Sequence, residues 1–348
     1  MSPGDVTERL DFALLLLLLY LSIIAVGFVA YLVMELGNTN DGLRLFRVLF
    51  PPRRQRTIPW GVSAIPLALA VYLMVMLLSQ WFVLRVIPGV FEIQHNDNVL
   101  VFEAVDRPTD NETDRGVTQS ISDEELPDQH PLTILMQKNG QNPMVILVCF
   151  LTAVIVAPLT EEFMFRVVIQ GGIEAKLRRG YGHSAPAQRI PILLTALFFA
   201  AIHFRTQQET TPSSIDRIFQ AMTATLIGNL VAMAVVIVVF RRLFRIRWSD
   251  IGLWDFRRTG RDALGALLLL VTILIPIGVV KYVVDMFAKS DGAVQLGVTS
   301  SMVDPIPLFL FALVIGMLYH RTRRFASVFF LHAFFNLYSF MILVSMTW

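Results

Sequence analysis

One cysteine stands in the whole sequence, Cys149, and it lies inside an apolar run. A disulfide framework is excluded, and with it CxxC redox motifs and cysteine zinc sites. Charge is scarce too. Only 16% of the residues are Asp, Glu, Lys or Arg, against 55% hydrophobic, where a soluble domain carries about 25% charged residues. There is no internal repeat, no glycine-rich phosphate loop and no HExxH zinc helix. Nothing in the chain points to a nucleic-acid partner. The net charge of +2 says little, because in such a chain the placement of charge matters more than its sum.

What the chain does have is long apolar runs, at 12–34, 61–84, 143–175, 190–204, 218–240, 263–284, 305–319 and 325–346. About 20 such residues cross a bilayer core. The fold class predicted is all-α, a polytopic membrane bundle of about eight transmembrane helices. The first run is no signal peptide: Asp5, Glu8 and Asp11 surround Arg9, and the run is longer than a signal h-region. Two units follow from this pattern. Residues 1–142 hold two N-terminal helices and an acidic loop, and residues 143–348 hold the remaining six helices.

Charge placement tests the helix count. Lys and Arg number one before the first helix, five in 35–60, three in 85–142 besides Arg85, and five in 160–189. Two then fall in 205–217, seven in 241–262, one in 285–304, three in 320–324 and none at the C-terminus. The low–high alternation fits eight crossings with the basic loops cytoplasmic and both termini outside, in the plasma (inner) membrane. The loop 88–142 carries eleven acidic residues against Arg107, Arg115 and Lys138. It reads as an extracytoplasmic spacer, with a short hairpin at 91–105. The arginine-rich segment 241–262 is expected along the inner headgroup surface, anchored by Trp248 and Trp254.

Against this background the stretch APLTEEFMFRVV, residues 157–168, is anomalous. An ionisable residue near the middle of a transmembrane helix costs about 2.5–3.5 kcal/mol and marks a candidate functional site. The candidates are Glu161, Glu162, Arg166, His203, His332 and Lys281, with the amides Asn229 and Asn336. Glu161 lies fifteen residues before Lys176, and His203 fourteen after Arg189. Both therefore sit about 20 Å from the basic surface. His332 and Asn336 follow Arg324 by eight and twelve residues, about 12 and 18 Å deep by the same rise. Glu162 and Arg166 share a helix face and can pair, as do His332 and Asn336. Glu161 is turned about 100° from Glu162 and can face another helix. Pro158 and Gly171-Gly172 are expected to break the 143–175 run. The remaining polar residues have plainer readings: Lys281 snorkels from a helix end, Asn229 is a packing contact, and His95, His130, His183 and His320 are solvated.

These residues resemble a known family. TEEFMFR is similar to the EExxxR motif of the CPBP family of CAAX prenyl proteases and bacteriocin-processing enzymes, also called Abi. Phe199-Ala-Ala-Ile-His203 resembles its FxxxH motif. GMLYHRTRRFASVFFLHAFFN resembles its third, with His332 and Asn336 as the HxxxN pair and Arg321-Thr322 upstream. The resemblance covers roughly 143–340. Val167 stands where members commonly have glycine. It implies an intramembrane endopeptidase acting on a membrane-embedded or prenylated peptide or protein substrate. It also implies roles: Glu161 as general base, His203 orienting the water, His332 with Asn336 at the oxyanion, and Glu162 with Arg166 in support.

The chemistry has independent sense. A carboxylate in a low-dielectric cavity is a stronger base, and donors aimed at a developing oxyanion lower the barrier by several kcal/mol. No cofactor is expected. The alternative is zinc held by Glu161, His203 and His332. Two non-proteolytic alternatives also stand: a transporter with a buried proton path, which would be expected to show inverted repeats, and a non-catalytic scaffold.

Overall fold

The computed structural model describes residues 3–37, 48–51, 59–86, 132, 135–136, 142–182, 184–204, 215–252, 256–288 and 305–347. Of the acidic loop only Leu132, Leu135, Met136 and Asn142 fall within them. The expected 91–105 hairpin and Trp254 lie outside the described residues, as do His95, His130 and His183.

Every regular element described is helical: α1 (Pro3–Gly37), α2 (Ala64–Val86), α3 (Pro143–Tyr181), α4 (Ala185–Ile202), α5 (Ile215–Leu243), the short α6 (Trp248–Ile251), α7 (Phe256–Ala288), α8 (Pro305–Thr322) and α9 (Phe325–Thr347). Seven of these contain spans long and apolar enough to cross a membrane, and Ala187–Ile202 within α4 is a shorter apolar helix. The chain is an integral, multi-pass membrane protein. Its outer faces stay apolar where a soluble protein would be polar. Leu77, Trp81, Leu197, Val271, Ile275 and Met341 are all exposed, as expected where lipid is the solvent.

The basic ends of the helices gather at one end of the bundle. Arg321, at the end of α8, donates to Glu35 O and Leu36 O at the end of α1 and to Phe50 O. Arg324, before α9, pairs with Asp262 near the start of α7 at 2.6 Å. Trp60, before α2, meets Phe240 near the end of α5 edge-on at 5.9 Å. Successive long helices thus alternate in direction, as the charge pattern requires. Arg241 lies over the Trp248 ring at 4.5 Å, a cation–π contact at that same end.

Helix α3 runs through the middle and corrects one expectation. It does not break at Pro158 or at Gly171-Gly172. Two π-helical turns, Leu151–Val156 and Phe163–Gln170, carry it through without interruption. Proline has no N–H and its ring crowds the carbonyl four residues back. Widening the preceding turn relieves that crowding, and such π turns recur at functional sites. Helix α8 is the most deeply buried of the spans. Its close approach to α3 and α4 depends on Gly316, where a Cβ would lie 2.9 Å from Ile192 Cγ2 and 3.4 Å from Arg166 Nη1.

Candidate active site

The six candidate residues come from three helices. Glu161, Glu162 and Arg166 lie on α3, His203 caps the end of α4, and His332 and Asn336 lie on α9. Glu162 and Arg166 form the pair expected from their spacing, Arg166 Nε to Glu162 Oε2 at 3.1 Å, with both side chains fully buried. The other oxygen, Oε1, accepts from His332 Nδ1 at 2.7 Å. Both oxygens of Glu162 are therefore occupied. Arg166 Nη1 also reaches Thr195 Oγ1 on α4 at 3.5 Å.

Glu161 differs from its neighbour. Its side chain is 28% exposed, and its nearest ionic partner is His332 Nε2 at 3.8 Å, beyond a direct hydrogen bond. His203 Nδ1 lies 2.7 Å from Phe199 O. A carbonyl only accepts, so Nδ1 carries the proton, and in the neutral ring Nε2 is left as an acceptor. The same reasoning puts a proton on His332 Nδ1 toward Glu162, so a donor at His332 Nε2 requires the doubly protonated ring.

Aromatic edges fix the His332 ring. Phe311 and Phe199 stand nearly perpendicular to it at 5.7 and 5.9 Å. Phe199 also packs against His203 at 4.4 Å and under Arg166 at 6.0 Å. It joins the two histidines.

Asn336 shows how local sequence and tertiary contact interlock. In the first π turn Ala157 N–H donates to Thr152 O. The next donor in that register, for Ala153 O, would be Pro158, which has none. Asn336 Nδ2 supplies it instead at 2.8 Å. The second N–H of the amide is not needed for this bond.

The sequence reading missed several polar residues. Gln170, fully buried, donates to Gly316 O at 3.0 Å. Tyr72 on α2 donates to Asn229 Oδ1 on α5, so Asn229 is hydrogen-bonded rather than merely packed. His320 is buried, not solvated. It lies 3.5 Å from Glu174, which also pairs with Arg323 and, at 2.5 Å, with Arg178. This cluster ties the basic end of α3 to the corner between α8 and α9. Lys281 pairs with Asp285 at 3.2 Å and is exposed. The Gln170 signal was present in principle, one turn beyond Arg166 on the same face, but a lone glutamine in an apolar run is easily passed over.

An open groove of about 860 Å³ lies elsewhere, between α1, α4 and α8, and none of the six candidate residues lines it. Both histidine Nδ1 atoms are engaged in hydrogen bonds, which leaves each Nε2 as the atom that could face a ligand, and among the described residues no group of three His, Cys, Asp or Glu side chains is arranged to hold a metal ion.

A partly exposed carboxylate and two histidines thus lie deep in the helix bundle, on three different helices. Over residues 143–338 the chain matches the family described as type II CAAX prenyl endopeptidase, Rce1-like, and with more than half its length covered it belongs to that protease family. Searches of curated proteins and of solved structures gave no match. The matched residues take in every candidate residue and leave α1 and α2 outside.

Proposed function

We propose that the protein is an intramembrane endopeptidase that hydrolyses a peptide bond with a water activated by Glu161. The observation that carries this reading is the contrast between the two adjacent glutamates. Glu162 has both oxygens held by Arg166 and His332 and is fully buried, whereas Glu161 is partly exposed, with His332 Nε2 3.8 Å away, too far for a direct hydrogen bond. A base must reach the proton it takes, and of the two only Glu161 is exposed at all. His203, with Nε2 available as an acceptor, orients that water. His332, through Nε2 in its doubly protonated form, and the second N–H of Asn336 donate to the oxyanion. Glu162 and Arg166 hold the His332 ring and the helix. No step is routed through a metal.

The substrate class we propose is a CAAX-type prenylated C-terminal peptide, with a leader peptide as the second choice. The bilayer would hold the apolar part of either. We also propose that the basic end of the bundle faces the cytoplasm across the plasma membrane, with both termini outside.

The test is cleavage of membrane-tethered peptides, farnesylated CAAX peptides among them, by the purified full-length chain in detergent. Wild type is run beside Glu161→Gln, with and without a chelator. Loss of cleavage in the variant alone supports the reading. Loss on chelation with recovery on adding zinc gives the reaction to a metal.

A further inference from the structure

The groove between α1, α4 and α8 plays no part in the proposed reaction, yet its lining is ordered. Helices α1 and α4 both pack on α8, and the space between them over α8 is the open groove of about 860 Å³. The charged, amide and imidazole side chains in its lining are Glu35, Gln188, Arg189 and His320. All four fall at the basic end, where Arg321 ties the last carbonyls of α1 to α8. Deeper in, the α8 lining is apolar as far as Phe309. Phe309 lies eleven residues before His320, about 16 Å by the helical rise. That length is near half the hydrocarbon core of a bilayer, which is about 30 Å thick. The groove therefore spans one leaflet, from headgroup level inward.

The polar end suits a phosphate. Arg189 is exposed at the mouth and Gln188 beside it is half-buried. His320 is buried, and its Nδ1 lies 3.5 Å from both Arg323 Nη2 and Glu174 Oε1. In the tautomer that accepts from Arg323, and in the doubly protonated ring, Nε2 carries a proton and is the ring atom left for the groove. Three side chains that can donate thus stand against one carboxylate, Glu35. The inner wall separates the groove from the candidate active site. Phe309 and Leu313, which line it, pack against Phe165 and Phe199, and Phe199 bears on both His203 and His332. A lipid anchor on a residue next to a scissile bond would start beside Glu161, on the other side of that aromatic layer. The occupant that fits is a lipid of the bilayer itself.

We propose that the groove is a binding site for one phospholipid of the leaflet at the basic end. An acyl chain lies along α8 from Met317 to Phe309, and the phosphate sits at Arg189, Gln188 and His320. Helix α1, outside the matched residues, supplies one wall. Binding there is independent of which residue is the base and is read without cleavage.

The experiment titrates the delipidated full-length chain in detergent with phosphatidylglycerol and with diacylglycerol of the same acyl chains, which lacks the phosphate. Wild type is compared with Ala30→Phe, which fills the groove from the α1 wall, and with Arg189→Gln. Bound lipid is counted by native mass spectrometry, and melting temperature is followed alongside. Wild type should bind one phosphatidylglycerol per chain, at least about tenfold more tightly than the diacylglycerol, because charge-assisted hydrogen bonds hold the phosphate. It should also melt higher with lipid present, as a ligand of the folded state requires. Ala30→Phe should bind both lipids at least about tenfold more weakly, the acyl chain having lost its space. It should melt like wild type without lipid, since residue 30 is exposed. Arg189→Gln should lose most of the preference for phosphate and keep its binding of diacylglycerol; being at an exposed position, it decides the matter if Ala30→Phe melts lower. Equal binding of the two lipids by wild type, or unchanged binding by both variants, overturns the proposal. Displacement of the phospholipid by S-farnesylcysteine methyl ester, with KM raised in Ala30→Phe for farnesylated peptides alone, also overturns it and gives the groove to the substrate.

Discussion

At the scale of single residues, two identical side chains have different surroundings. Glu162 is bonded to His332 and Arg166, and Glu161 is partly exposed. Glu161→Gln keeps size and shape, so the melting temperature should hold while kcat falls by about 10²–10⁴-fold, the usual contribution of a general base. A steady-state assay beside a thermal melt checks both. Arg166→Ala should do the reverse in emphasis. It leaves the buried Glu162 charge without its cation and should cost about 3–5 kcal/mol of stability, seen as lower expression and a lower melting temperature. Glu162→Gln/Arg166→Ala should recover part of that loss, because the stranded charge is then gone. The pairing of Glu162 with Arg166 is legible in the sequence, since a four-residue spacing on a helix needs no tertiary information. The bond from His332 to Glu162 is not legible. It depends on the rotation and depth of α9 against α3, which no spacing within either helix encodes.

At the scale of elements, α3 is irregular on either side of its candidate glutamates. Pro158 removes a donor, the preceding turn widens to π, and Ala153 O takes its hydrogen bond from Asn336 on another helix. Pro158→Ala restores the donor and relieves the helix of a penalty of up to about 3 kcal/mol. The variant should melt higher yet cleave at least about tenfold more slowly, because Asn336 loses its anchor and Glu161 shifts on its helix. Melting and turnover measured on one preparation decide it. The expectation of a broken helix was reasonable from Pro158 and Gly171-Gly172, but proline in a membrane helix can be absorbed when neighbours satisfy the freed carbonyl. The basic end of α3 is held by the Glu174 cluster. Glu174→Gln removes the carboxylate that Arg178 and Arg323 share, so the α8–α9 corner should loosen. Faster hydrogen exchange at the start of α9 would report it.

At the scale of the whole molecule, α1 and α2 stand outside the matched family core but are built into it. Arg321 binds the last carbonyls of α1, and Tyr72 joins α2 to α5 through Asn229. A chain lacking α1 would leave the Arg321 guanidinium with only Phe50 O of those acceptors. The proposed orientation has its own test. In a Cys149→Ala background, single cysteines placed at either terminus should react with a membrane-impermeant maleimide added to intact cells. Cysteines in 176–182 should react only after lysis. Labelling of the termini only after lysis would invert the topology.

The sequence alone determined the class of the molecule. Apolar runs of bilayer length make it a multi-pass membrane protein, alternating Lys and Arg predict the sense of each crossing, and charged residues inside such runs mark a candidate site because burying them is costly. The tertiary structure decided which glutamate is held and which is partly exposed, that His320 is buried against Glu174, and that Tyr72 pairs with Asn229. These depend on how helices rotate and pack against one another. That is set by side-chain fit across interfaces, at Gly316 for instance, and by π turns that shift the phase of α3, neither of which leaves a period in the sequence.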